Sequence, residues 1–349
     1  MRVHVVVPDG FDDPARPSGG NVYDRRVCAG LTEAGWDVRI AAVAWPTHHA
    51  DDELSRTMAA IPDGETVLLD GLIASPSARP LLPHLRRLHA VVLLHMPLAS
   101  APPGSNNATA LLSERAVLHA ADAVVVPSEW TRHQLLSRGV APAERIHVAR
   151  PGVDRASVAD RQPGAGRLLC LAALAHHKGQ DLLVEALAGL ADMQWTCVLA
   201  GRLDHDPGFV HRLRDRIAQL GIGDRIQIVG VLSGAALQRA FADAALLVVP
   251  SRSETYGMVV TEALARGLPV LAAEIGGVPE ALGCTSDGER PGQLVRPDDP
   301  SALAAGLTRW MRDEDHRRRL RAAALQRRSQ LMGWDQTVRD LVTALQFSP

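Results

Sequence analysis

Residues 249–282, VPSRSETYGMVVTEALARGLPVLAAEIGGVPEAL, constrain this chain more than any other stretch. The apolar run ending in Val248, Val249 and Pro250 reads as a buried strand. A polar loop leads to Gly257, and the apolar periodicity from Met258 to Ala265 reads as a helix. Gly267 sits where that helix should stop, and Pro269 begins the next strand. Two glutamates frame the turn, Glu254 before the helix and Glu262 about one turn inside it. A helix entered through glycine presents free backbone amides and suits phosphate. A carboxylate does not bind phosphate, but it accepts hydrogen bonds from sugar hydroxyls, and the two hydroxyls of a ribose match one carboxylate. Helical side chains tilt toward the N-terminus, so Glu262 can lean back to the ligand end. The combination suggests a nucleotide sugar: amides for the diphosphate, one glutamate for the ribose, one for the transferred sugar. The plain alternative is two solvated surface glutamates.

The rest of the chain repeats the same βα rhythm. A first strand covers 2–7, a polar loop leads to Gly19-Gly20, a helix spans 22–34 and a second strand 38–43. The glycine pair does not make a GxGxxG fingerprint; it reads either as a flexible loop facing a ligand or as a plain helix entry. Strands are expected at 67–69, 90–94, 123–126 and 146–149, with helices at 110–120 and 130–137. Residues 155–166 lack periodicity and read as a linker between a domain at 1–155 and one at 162–330. Strands at 167–173, 195–200, 225–229 and 245–249 then alternate with helices at 179–190, 207–220 and 234–241. A chain of 349 residues has room for two domains. The expected fold class is α/β, two Rossmann-like doubly wound parallel-sheet domains facing a cleft that is the default ligand site.

Composition excludes some function classes. With 37 basic against 39 acidic residues there is no global basic field for nucleic acid, and 3% aromatics offers no base-stacking platform. The four cysteines form no CxxC pair and read as buried free thiols of a reducing cytoplasm. The N-terminus lacks the apolar length of a signal peptide, and no run reaches a membrane span. A weak peripheral membrane contact stays open. The arginine-rich stretch 312–330 reads as a solvated amphipathic helix rather than a nucleic-acid or lipid face. The Asn107-Ala108-Thr109 glycosylation pattern is read as chance.

Two further residues carry chemistry. His95 falls at the C-terminal end of a strand, where open parallel sheets bind ligands, and reads either as a ligand-facing residue or as a plain structural histidine. Lys178 falls at a helix start, where a cation opposes the helix dipole unless an anion shares the site. A diphosphate leaving group is such an anion, and it gains charge in the transition state. His176-His177 have no carboxylate pair at metal spacing beside them, so no metal and no cofactor are expected.

The two glutamates with seven residues between them, in PSRSETYGMVVTEALARGLPV and followed by GGVPEAL, resemble the EX7E signature of retaining glycosyltransferases of family 4. The likeness runs over about thirty consecutive positions and, more weakly, over most of the chain. It implies a GT-B fold whose last helix, 334–345, crosses back onto the first domain. It also implies retaining, metal-independent transfer of a hexosyl-type sugar from a nucleotide-diphosphate sugar, UDP favoured. The acceptor would be a hydroxyl of a small molecule, lipid or glycan. By the same resemblance Glu262 holds the ribose, and Glu254 with the amides of Thr255, Tyr256, Gly257 and Met258 holds sugar and phosphates. Lys178 and the amides of Gly19 and Gly20 stabilise the departing diphosphate. His95 faces the transferred sugar or the acceptor, and Val231 and Leu232 lie near the base. His95, Lys178 and Glu254 are the expected catalytic residues, and loops 45–49 and 97–107 the acceptor-selecting ones. One departure stands out: Ala172-Ala173 occupy the place of the family's Gly-Arg, five residues ahead of the lysine. A second diphosphate cation is therefore missing there, with Arg202, Arg252 and Arg150 as replacements to consider. Two rival readings are a sugar-nucleotide epimerase of the same fold and a non-catalytic nucleotide-sugar-binding protein. The sequence carries no reading of oligomeric state.

Overall fold

Valine-rich apolar runs in the first half pair side by side as parallel strands in the computed structural model, which describes residues 1–44, 50–98, 108–158 and 164–347. The 45–49 loop, residues 99–107 of the second acceptor loop with Asn107, and residues 159–163 of the linker lie outside the described residues. The chain divides into two units: Met1–Asp13, Ser18–Gly152 and Met332–Pro349 form one, Pro14–Pro17 and Val153–Leu331 the other.

The first unit runs β1 (Arg2–Pro8), α1 (Gly19–Glu33), β2 (Asp37–Val43), α2 (Ala50–Ala59), β3 (Thr66–Asp70), α3 (Gly71–Ala74), α4 (Ala78–Leu85) and β4 (His89–Leu93). It continues with α5 (Ala108–Ala120), β5 (Ala123–Val126), α6 (Glu129–Ser137) and β6 (Ile146–Val148). The strands are parallel in the order β2-β1-β3-β4-β5-β6. Side chains alternate across the sheet: Val91 and Leu93 enter one core with Val3, Val5 and Leu31, while Ala90 and Val92 enter the other with Leu54, Met58 and Leu118. Both faces are covered, so the strands read as continuous apolar runs, each fully buried Val or Leu contributing roughly 1.5–3 kcal/mol. Gly19-Gly20 is not a loop. It forms the first turn of α1, capped by the Ser18 side chain, which accepts from the Asn21 N–H at 3.0 Å.

The second unit runs β7 (Arg167–Leu171), α7 (Gln180–Ala188), β8 (Thr196–Ala200), α8 (Pro207–Gln219), β9 (Ile226–Val229), α9 (Gly234–Asp243) and β10 (Leu246–Val249). Then follow α10 (Met258–Leu264), β11 (Val270–Ala273), α11 (Val278–Leu282), β12 (Gly292–Val295), α12 (Pro300–Arg312) and α13 (Glu314–Arg328). Its parallel sheet has the order β12-β11-β10-β7-β8-β9. Again alternate residues part: Leu168, Cys170, Leu246 and Val248 face one core, Leu169, Leu247 and Val249 the other. The arginine-rich segment is α13, whose arginines tie carbonyls: Arg317 those of Trp310 and Met311, Arg328 those of Ala265 and Ala156. α14 (Trp334–Leu345) belongs to the first unit and packs on α1, β5 and β6 through Val338, Leu341 and Ala344.

Cys28, Cys170 and Cys197 are buried free thiols, but Cys284 is exposed. Gly283 breaks α11 just before it and starts a surface turn, which the apolar neighbourhood in the sequence concealed. Among the described residues no helix is long and apolar enough to cross a membrane.

Candidate functional site

Each sheet reverses its winding at one place. In the second unit that place lies between β7 and β10, paired through Leu246↔Leu168 and Leu247↔Leu169. In the first it lies between β1 and β3, paired through Val3↔Thr66 to Val6↔Leu69. Loops leaving the carboxyl ends of two such strands diverge and open a crevice where ligands bind. The charged residues of interest gather at these two points.

In the second unit β7 runs into the tight turn His176–Lys178, and β10 into the loop that carries Glu254. Lys178 Nζ donates to Glu254 Oε1 at 2.7 Å, and Ser251 Oγ donates to the same oxygen at 3.0 Å. The two side chains are 18% and 12% exposed, shielded without being sealed from solvent. Glycine makes this approach possible. Gly179 adopts φ +70, and a Cβ there would stand 2.1 Å from the Pro250 carbonyl oxygen. Gly276, at φ +57, lies so close beneath Glu254 that a Cβ would sit 1.6 Å from the Glu254 carbonyl oxygen. The Gly277 N–H donates to that carbonyl at 3.2 Å. The GGVPEAL segment thus braces the Glu254 loop from below. Burial, then Lys178, pushes the neighbouring His177 down to about 4, which keeps it neutral.

Glu262 lies inside α10, half-buried, its carboxyl taking no hydrogen bond among the described residues. Burial raises its pKa against the lowering effect of Arg266. Thr255 to Met258 supply the entry to α10 with Gly257 at φ +89; the Tyr256 ring is buried in the core, so only its backbone faces the loop. Val231 and Leu232 follow β9 in a half-buried loop. Arg252 is committed elsewhere, paired with both oxygens of Asp181, with Asp298 and with the His176 carbonyl. Arg150 lies in the first unit, 3.7 Å from Glu129. Arg202 follows β8 and grips Asp204 through two bonds of 3.0 and 2.9 Å. Its carbonyl accepts from the Leu174 N–H at 2.9 Å, which sets Arg202 beside Ala173.

In the first unit the expected His95 does not stand alone. Its Nε2 faces Asp24 Oδ1 at 2.8 Å, and its ring meets Tyr23 edge-on at 5.1 Å. Asp70 ends β3, pairs in register with Leu93 and caps α3 by accepting from the Leu72 N–H at 2.6 Å. Asp24, Asp70 and His95 bring ligand-type atoms within 4.8 Å of one another, the one such set found among the described residues. Gly20 matters here through what it lacks: a Cβ would press on His95 Cδ2 at 3.1 Å. Sequence reading missed Asp24, Asp70 and Ser251. Asp24 follows Gly20 by four residues, hence on the same helix face, and Asp70 closes a strand, so both signals were present. Two Asp-X-Asp triplets also exist, but their ends are used structurally: Asp204 holds Arg202, while Asp206 and Asp313 cap α8 and α13.

Comparison with known proteins agrees with these two sheets. Residues 159–327 match the family model described as glycosyl transferases group 1, and residues 73–157 that of glycosyltransferase family 4. A D-inositol 3-phosphate glycosyltransferase from Catenulispora acidiphila is 31% identical over 278 residues, 74% of this chain and 65% of that protein. One from Jonesia denitrificans is 30% identical over 252 residues, 66% and 58% of the two chains. The chain belongs to glycosyltransferase family 4. It spans less than two thirds of the length of these two relatives. Among solved structures, sucrose-phosphate synthase from Thermosynechococcus elongatus covers 98% of both chains with a TM-score of 0.82 at 21% identity. HepE from Anabaena, in complex with UDP and glucose, covers 99% of both with a TM-score of 0.78 at 18% identity. This family 4 chain therefore has the two Rossmann-like sheets of the GT-B fold, as its EX7E segment implied.

Proposed function

We propose that this chain transfers a sugar from a nucleoside diphosphate sugar to a hydroxyl acceptor, with retention and without a metal. The Lys178–Glu254 pair at the second unit's switch point carries the reading. Lys178 meets the diphosphate and opposes the charge that builds as it leaves. Glu254, held by Ser251, accepts from hydroxyls of the transferred sugar, and the amides of 255–258 face the phosphates. The unbonded carboxyl of Glu262 takes the ribose hydroxyls, and Val231 and Leu232 border the base. Arg202, beside Ala173, supplies the second cation once the diphosphate competes with Asp204. UDP is the favoured base carrier, since HepE is seen with UDP and with UDP-glucose. In the first unit His95 serves the acceptor, with the amides of Gly19 and Gly20 beside it. Front-face attack of the acceptor hydroxyl, as the family resemblance implies, accounts for retention. The free thiols fit a reducing compartment.

The test is incubation of the full chain with UDP-, GDP- and ADP-sugars and a set of hydroxyl acceptors, D-inositol 3-phosphate first because the relatives are named for it. Mass spectrometry should find the glycosylated acceptor and the free nucleoside diphosphate. A tightly bound donor with no product over the whole set favours a binding protein, and an epimerised donor favours an epimerase; either result sinks transfer.

A further inference from the structure

His95 Nε2 accounts for one oxygen of Asp24. The other, Oδ2, is buried, and no donor among the described residues faces it. Asp24 and Asp70 are 2% and 5% exposed, with carboxyl oxygens within 4.8 Å of each other and of His95. Two ionised carboxylates so close and so dry repel each other, and a buried acceptor without a donor is costly. One proton on Asp70 removes both penalties. Asp70 then keeps one oxygen on the Leu72 N–H and gives its O–H to Asp24 Oδ2, while Asp24 keeps its Oδ1 on the imidazole.

We propose that Asp24 and Asp70 share one proton and that the pair holds His95 as an imidazolium, offering a ligand a cationic Nδ1–H donor rather than a base. Nδ1 takes no hydrogen bond among the described residues, and Nε2 is committed to Asp24. The pull on the ring follows the same direction. Burial alone would lower the His95 pKa, but Asp24 and then Asp70 overcome it and lift it to about 9. Burial first, then Asp24, raises Asp70 to about 7. The other titratable groups around the cluster are Tyr23 and Cys28 of α1, both raised first by burial and then by Asp24, and Asp340 of α14, which acts on Tyr23. Asp24 and Asp70 are thus positioning residues, acting through His95. A cationic N–H suits an anionic oxygen, so an acceptor bearing a phosphate ester fits this end of the first sheet. That last step rests on the transferase reading; the protonation state does not.

The test is two-bond 1H–15N spectroscopy of the full chain labelled in histidine, from pH 5.5 to 10, with His95→Gln assigning the signal. His95 should stay an imidazolium through pH 8 and titrate near the value of about 9. Asp24→Asn should bring that titration to 6.5, the ordinary value, or below. Asp70→Asn should leave it above 8, because the amide can donate to Asp24 Oδ2 with no shared proton. A neutral His95 at pH 7 in the wild type overturns the proposal, as does an Asp70→Asn variant that shifts as far as Asp24→Asn. Stoichiometric divalent metal by mass spectrometry, with a His95 signal that changes on chelation, would make the cluster a metal site instead. If Asp24→Asn does not fold, the wild-type titration and Asp70→Asn decide alone. None of these readouts needs an acceptor, so loss of the transferase reading would appear separately as absence of product.

Discussion

The two switch points solve the problem of holding charge at a strand end in opposite ways. In the second unit a cation and a carboxylate meet directly, Lys178 on Glu254 at 2.7 Å, still partly open to water. Glycines at 179 and 276 let the backbones come close enough for that contact. In the first unit the two carboxyls are sealed in, at 2% and 5% exposure, and only the His95 ring above them, 19% exposed, reaches solvent. The difference teaches where each site is vulnerable. The open pair depends on backbone approach, so it should break through glycine. The sealed cluster depends on proton count, so it should break through pH.

The largest effect is expected from Lys178→Ala, which removes the group proposed to face the leaving diphosphate. Turnover with a competent donor and acceptor should fall by roughly 10²–10³-fold in kcat with the circular dichroism unchanged. Gly276→Ala comes next. Its Cβ, clashing with the Glu254 carbonyl at a strained φ, should destabilise the second unit by roughly 1–3 kcal/mol in urea unfolding and weaken donor binding. The equivalent Gly35→Ala, a positive-φ glycine with nothing within 4 Å, should leave donor affinity unchanged and so serves as the control. Glu262→Ala should weaken donor binding about 10-fold, or about 1.4 kcal/mol, without unfolding the chain. Unaltered affinity would remove the ribose role.

The smallest effect distinguishes the sealed cluster. The folded pKa of Asp70 lies above its unfolded 3.8, so its contribution to stability is full below 3.8 and lost as pH rises through about 7. His95 is raised likewise, so its contribution is full below 6.5 and lost as pH rises through about 9. Thermal unfolding followed from pH 6.5 to 9 should show a falling midpoint, and Asp24→Asn should flatten it. A midpoint equally steep in that variant would assign the slope to other groups.

Much of the second unit was legible because its signals are local. The strand, glycine-entered helix and strand of 249–282 lie in one continuous stretch, and Lys178 announces itself by opposing a helix dipole. α2, α3 and α4 were not read. α4 carries Pro80 and Pro83, which weaken helical propensity, and α3 is one turn held by the Asp70 cap. The cluster around His95 was legible only in part, because its members sit 46 and 25 residues apart along the chain and meet through strand order. Partner choice was hidden as well. Nothing local shows that Arg252 is consumed by Asp181 and Asp298 or that Ser251 steadies Glu254.

The central claim, a nucleoside diphosphate sugar held at the Lys178–Glu254 pair, is tested most directly by calorimetric titration of UDP-glucose into the wild-type chain and Lys178→Ala. The account predicts saturable binding by the wild type and at least about 10-fold weaker binding by the variant, the order expected for one charge-assisted phosphate contact. Equal affinity in the two proteins would contradict it.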